Sequence, residues 1–212
     1  MFSRILFSLF ALLLVVKAPT ASATVIGTTG SANTSVGYFG SYATPSFGES
    51  FVSPGGMLTS VSFSSINVIL GSNVRLVIAP IAGTTPGSAL YSAQYGLVDG
   101  TNTFSNLSVN TTAGTNYFAY LTTFGVNTNP VKLATFGGTL KNSYSGGEFL
   151  YDTSDCDPAG DKFSSAFTPD LAFSATFAPS VAVTPEPSSL VLLASGMLSA
   201  GTMLRRRKQV IA

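Results

Sequence analysis

Met57-Leu58-Thr59-Ser60-Val61-Ser62-Phe63-Ser64-Ser65-Ile66 decides the fold class: apolar Leu58, Val61 and Phe63 alternate with small hydroxylated residues, and no charge interrupts them. A period near two belongs to an extended strand, which turns one face to a core and the other to water. Pro54-Gly55-Gly56 punctuates the chain just before this stretch. Working outward, similar short runs rich in aromatic and β-branched residues predict strands at residues 36–42, 47–52, 73–81, 90–95, 103–109, 116–122, 131–136, 148–151 and 170–177. Pro80 is expected to halt the 73–81 run. Gly83-Thr84-Thr85-Pro86-Gly87, Gly137-Gly138 and Gly146-Gly147 read as breakers between strands. Many short strands with Gly- and Pro-rich turns predict an all-β sandwich or barrel, and about ten strands suit a two-sheet jelly roll. No internal repeat stands out, and no helix is expected except at the chain ends.

The composition narrows the function. Of 212 residues only 9% are charged, against about 25% in an ordinary soluble protein. The bases Arg4, Lys17, Arg205, Arg206, Arg207 and Lys208 lie at the ends, which leaves Arg75, Lys132, Lys141 and Lys162 in the middle. Every acid except Glu186 lies in that middle: Glu49, Asp99, Glu148, Asp152, Asp155, Asp157, Asp161 and Asp170. The central domain is therefore mildly acidic and offers no basic stripe to neutralise phosphates, which argues against nucleic acid as a partner. Cys156 is the sole cysteine, so no disulfide forms within the chain and the fold rests on its apolar core.

Residues 1–23 read as a secretory signal peptide. Arg4 supplies the positive start, residues 5–16 the apolar run, and Ala21-Ser22-Ala23 the small-residue cleavage pattern for signal peptidase. The apolar run is short of the ~20 residues a spanning helix needs. At the other end, Val183-Thr184-Pro185-Glu186-Pro187-Ser188-Ser189 leads into an uncharged apolar stretch, 190–204, closed by Arg205, Arg206, Arg207 and Lys208. The prolines discourage helix before Ser188. A helix over residues 188–204 would rise ~25 Å, just short of a ~30 Å hydrocarbon core. The basic cluster would stop transfer and stay cytoplasmic, with the central domain outside. A permanent C-terminal anchor on a proline-rich stalk is the plain alternative.

This order of Pro-Glu-Pro, apolar span and Arg-rich tail resembles the PEP-CTERM sorting signal. The resemblance implies that Pro185, Glu186 and Pro187 are recognised by an exosortase, an integral-membrane cysteine protease and transpeptidase-like enzyme. It also implies removal of the tail at the inner membrane and delivery to the cell envelope or extracellular matrix of an exopolysaccharide-producing bacterium. The domains on this reading are a signal peptide (1–23), a β-sandwich ectodomain (24–180) and a sorting signal (181–212). The middle also resembles a recurring group of PEP-CTERM ectodomains. The stretches that carry this likeness are SFV at 50–52, GML at 56–58, GSALYSA at 87–93, AGTNYFAYL at 113–121, YSGGEFLY at 144–151 and DLAFSATF at 170–177. That resemblance implies a jelly-roll-like sandwich without a known activity.

Catalytic chemistry finds little support. The chain has no histidine, which removes Ser-His-Asp and Cys-His arrangements and histidine zinc sites. Asp155 and Asp157 flank Cys156, and their charge raises a thiol pKa and weakens the nucleophile. Paired carboxylates acting as in glycosidases stay open, since sequence spacing does not show which acids face each other. One polar cluster is dense: Asp152, Asp155, Asp157 and Asp161, following Glu148, are oxygen donors of the type calcium takes. Their spacing departs from the EF-hand, and a solvated acidic loop partly balanced by Lys162 is the plainer account of them. The expected function is a non-enzymatic envelope or matrix protein. A calcium-dependent glycan-binding module is the alternative, and a carboxylate-based hydrolase comes third.

Overall fold

Strands account for most of the central region of the computed structural model: β1 (Thr24–Gly27), β2 (Thr34–Phe39), β3 (Ser46–Val52), β4 (Gly56–Ile66), β5 (Asn73–Ala82), β6 (Thr85–Pro86) and β7 (Tyr91–Gly96), followed by β8 (Gly100–Thr111), β9 (Asn116–Thr122), β10 (Ala134–Gly138), β11 (Phe149–Asp152), β12 (Ser164–Ser165) and β13 (Phe173–Phe177). The residues described are 22–28, 32–41, 43–69, 71–126, 133–139, 144–154, 158–165, 169–179 and 195–197. Ser22–Ser180 makes one compact unit; in the other, residues 195–197 are described and are helical. Among the described residues no helix is long and apolar enough to cross a membrane. The expected C-terminal span and the expected signal peptide therefore lie almost wholly outside the described residues.

Two antiparallel sheets face each other, so the all-β, two-sheet reading holds. One runs β1-β13-β4-β10-β2, with β8 on the other edge of β4; the second runs β12-β11-β3-β9-β5, with β6 and β7 both paired to β5. Several strands match the sequence expectation to within a residue or two, and β9 matches it at both ends. The short strands β1, β6 and β12 were not expected: their 2–4 residues are too few to show a period.

β4 departs from clean alternation, and the departure is physical. Its buried residues are Leu58, Val61, Phe63 and Ser65, so the inward parity switches between Leu58 and Val61. Thr59 is the extra residue there: Phe177 pairs with Leu58, and the next residue back, Thr176, pairs with Ser60. On the other edge β8 makes the same switch. Val109 pairs with Leu58 and Ser105 with Ser60, and Asn106 in the intervening stretch has φ 61°. An inserted residue turns the following side chains to the opposite face, which restores the apolar set to the core.

Two further expectations are corrected. Pro80 does not end β5, which continues to Ala82. The Pro80 carbonyl accepts the Gly87 N–H at 2.8 Å. In a strand a residue's nitrogen and carbonyl point to the same edge, so the missing N–H falls on the edge away from β9 and costs that ladder nothing. Gly137 and Gly138 do not lie beyond β10 but form its last two residues, so the strand ends with them rather than before them. A Cβ on Gly137 would collide with Ala32, and one on Gly138 would come within 2.7 Å of Val36. These glycines admit close neighbours on a covered sheet.

The core between the sheets is aromatic. Phe47 makes edge contacts with Phe39, Phe136 and Phe149 at centroid distances of 4.7, 4.9 and 5.7 Å. Phe51 packs on Tyr117, Phe173 and Phe177. The second sheet is covered on its outer face as well, where Val77, Phe118, Tyr120 and Leu150 pack under Phe163. This explains why β3 and β9 are buried on both faces, and why Gly48 is required opposite Tyr120.

Candidate functional site

Alternation along β3 sends Phe47, Glu49 and Phe51 to one face, into the core, and Ser46, Gly48 and Ser50 to the other. Glu49 is fully buried, with Ala119 and Phe149 as its cross-strand partners. Its Oε2 accepts the Leu171 N–H at 3.0 Å, and its Oε1 has no hydrogen-bond partner among the described residues. Burial pushes its pKa up to about 9, the Leu171 N–H works against this, and the nearby carboxyls of Asp170 and Glu148 add to the rise. Glu49 is accordingly a neutral acid at pH 7.

Three separate segments meet around it. Tyr144 donates its N–H to Asp170 Oδ2 at 3.0 Å, and its ring lies edge-on to Phe173. Burial also raises the Tyr144 phenol. The turn after Tyr144 is sewn to β3 by Val52 N–H to the Gly146 carbonyl and Ser50 N–H to the Glu148 carbonyl, each at 3.0 Å. Gly147 makes this approach feasible, because a Cβ there would fall on the Ser50 carbonyl. The sequence reading counted Glu49 only as one of the domain's acids. The signal that would have found it is Phe47-x-Glu49-x-Phe51, a lone carboxyl in register with two phenylalanines on the apolar face of a strand. Enclosed in the core, this carboxyl ties β3 to the segment just before β13.

The expected calcium ligands are only partly in view. Asp155 and Asp157 lie outside the described residues, as does Cys156. Asp152 is half-buried and accepts both the N–H and the Oγ–H of Ser154, at 3.0 and 2.5 Å. Asp161 is half-buried, and its N–H donates to the Pro158 carbonyl at 3.3 Å. Among the described residues no group of three or more His, Cys, Asp or Glu side chains could hold a metal ion. Glu148, whose Oε2 accepts the Ser165 hydroxyl at 2.6 Å, belongs to the neighbouring strand pair.

A hollow of about 470 Å³ opens where Ser35 and Val36 of β2 approach Phe149 and Tyr151 of β11, with Thr44 and Pro169 completing its lining. It carries aromatic faces and hydroxyls but no charge. Asp152, the first residue of the acidic loop, directly follows Tyr151.

At the N-terminal end, Ala21 lies outside the described residues, whereas Ala23 is exposed and immediately precedes β1. Pro185, Glu186, Pro187, Arg205, Arg206, Arg207 and Lys208 all lie outside the described residues. Their identity is decided by comparison: residues 183–208 match a protein-family description. The chain carries a PEP-CTERM protein-sorting motif. The motif covers Pro185-Glu186-Pro187, the apolar stretch and the basic cluster in the order read from the sequence. It implies an exported protein, sorted by an exosortase through a membrane-anchored intermediate.

No curated protein sequence matches the chain. Among solved structures, the chain is similar to a clostridial cysteine protease, Cwp84, after propeptide cleavage. That match has 13% identity and a TM-score of 0.48 over 73% of this chain and 39% of the other. It is also similar to the cysteine protease and lectin-like domains of Cwp84, a surface layer associated protein of Clostridium difficile. Here identity is 17% and the TM-score 0.42, over 62% of this chain and 32% of the other. The chain thus spans well under half the length of these structures, and likeness at this level says nothing of activity.

Proposed function

We propose that this is a non-enzymatic protein of the cell envelope or extracellular matrix, delivered there after exosortase processing of its C-terminal signal. The sorting motif at residues 183–208 carries the reading. The domain's chemistry supports it: the chain lacks histidine, and the strongly shifted carboxyl of Glu49 is enclosed in the core rather than open to a cleft. The sandwich is read as jelly-roll-like, with the signal peptide ending at Ala23 and β1 opening the mature chain. The decisive measurement is intact mass of the protein recovered from its host's envelope and medium. A mass lacking residues 1–23 and the segment beyond Pro187 is expected. A mass that retains residues 190–212 means a permanent membrane anchor and ends the sorting reading.

A second reading, calcium-dependent glycan binding, is favoured by the uncharged hollow beside Tyr151 and its closeness in the chain to Asp152. Aromatic faces with a few hydroxyls suit a neutral sugar. Isothermal titration of neutral polysaccharides, with calcium and with chelator, tests it. Binding weakened at least tenfold by Tyr151→Ala supports the hollow as the site; silence from the folded wild-type protein removes the reading.

A further inference from the structure

Glu49 belongs to the second sheet, and the N–H it holds belongs to Leu171, which bridges to Gly138 of β10 in the first sheet. The bond therefore runs from a side chain of one sheet to a backbone segment bridged to the other. Phe47 and Phe51 flank the carboxyl on its own strand. Among the described residues, the titratable groups around it come from other elements and are acids: Asp170 next to Leu171, Tyr144 in the turn before β11, and Glu148 at the entry to β11. Its cross-strand neighbours on β9 and β11, Ala119 and Phe149, bring no charge. The described bases lie elsewhere: Arg75 donates to the Gly125 carbonyl and Lys162 is exposed.

We propose that the proton of Glu49 keeps charge out of the seam between the two sheets: the side chain ties β3 to the Leu171 segment, and losing the proton leaves a buried anion there, at a cost to the closed sandwich. An anion here would be fully buried and would face the carboxyl of Asp170, and both features disfavour charge in a core. The direction of the pH effect follows. The folded state keeps the proton up to about pH 9, whereas an unfolded glutamate loses it near pH 4.3. Between those values the native state binds more protons, so stability is greatest in acid and declines as pH rises through the window, levelling off above it.

The test compares the full chain, solubilised in detergent, with Glu49→Gln by thermal unfolding from pH 4 to pH 10. The wild type is expected to lose about 10 °C of melting temperature across the window, and Glu49→Gln to flatten this slope. Parallel curves for the two proteins would overturn the proposal. An infrared measurement on the unmodified protein needs no variant: a protonated-carboxyl band should persist at pH 7 and be absent from Glu49→Gln. Absence of the band from the wild type at pH 7 would also overturn it.

Discussion

Gly48 shows how much of this fold rests on single positions. A Cβ there would fall on the Ala119 carbonyl and the Tyr120 Cα. Neither can yield, because β9 is hydrogen-bonded on both edges. Gly48→Ala should therefore cost about 3 kcal/mol, at the upper end of overpacking, read as a lowered urea midpoint. Phe47 is the opposite case. Its ring touches Phe39, Phe136 and Phe149, so Phe47→Ala should cost about 3–5 kcal/mol in the same assay. Both residues could be placed on a strand from sequence. Their partners could not, since Phe136 and Phe149 are distant in the chain and meet Phe47 only through sheet pairing. Glu49 was equally open to view between Phe47 and Phe51, but composition alone gives an acid no address.

Elements were legible where apolar residues recur over six or more positions, as in β3, β4, β5 and β9. They failed to be legible where pairing, not period, makes the strand. β6 and β12 exist because β5 and β11 offer them an edge. The bulge opposite Thr59 was written in the sequence as a three-residue step from Leu58 to Val61, yet assigning it needs the partner strands. Its strained position is Asn106, a residue type that tolerates left-handed backbone. Asn106→Gly should leave stability within about 0.5 kcal/mol, while Asn106→Val should cost about 1–2 kcal/mol, both measured by chemical denaturation. The outer face of the second sheet depends on one plug: Phe163 packs on Phe118 and Tyr120 and donates its N–H to the Thr84 carbonyl at 2.9 Å. Phe163→Ala should cost about 3 kcal/mol and speed amide exchange at Leu150 more than at Val61.

For the whole molecule, the sorting signal and the sandwich are separable in expectation. Replacing Pro185, Glu186 and Pro187 together by alanine should leave the melting temperature of the sandwich unchanged while the tail stays attached, as read by mass. Loss of folding along with processing would show that the segment serves the domain as well. What the sequence determined by itself is the address and the class of fold. Both are local: a sorting signal is read as a linear string of Pro-Glu-Pro, apolar run and arginines, and a strand announces itself by the period of its side chains. What only the tertiary structure decided is which strands are neighbours, that Gly137 and Gly138 lie within a strand, and that Glu49 meets Leu171 and Asp170 in the core. Those are contacts between residues as distant in the chain as Thr24 and Phe177, and the burial that keeps a carboxyl neutral exists only once two sheets have closed over it.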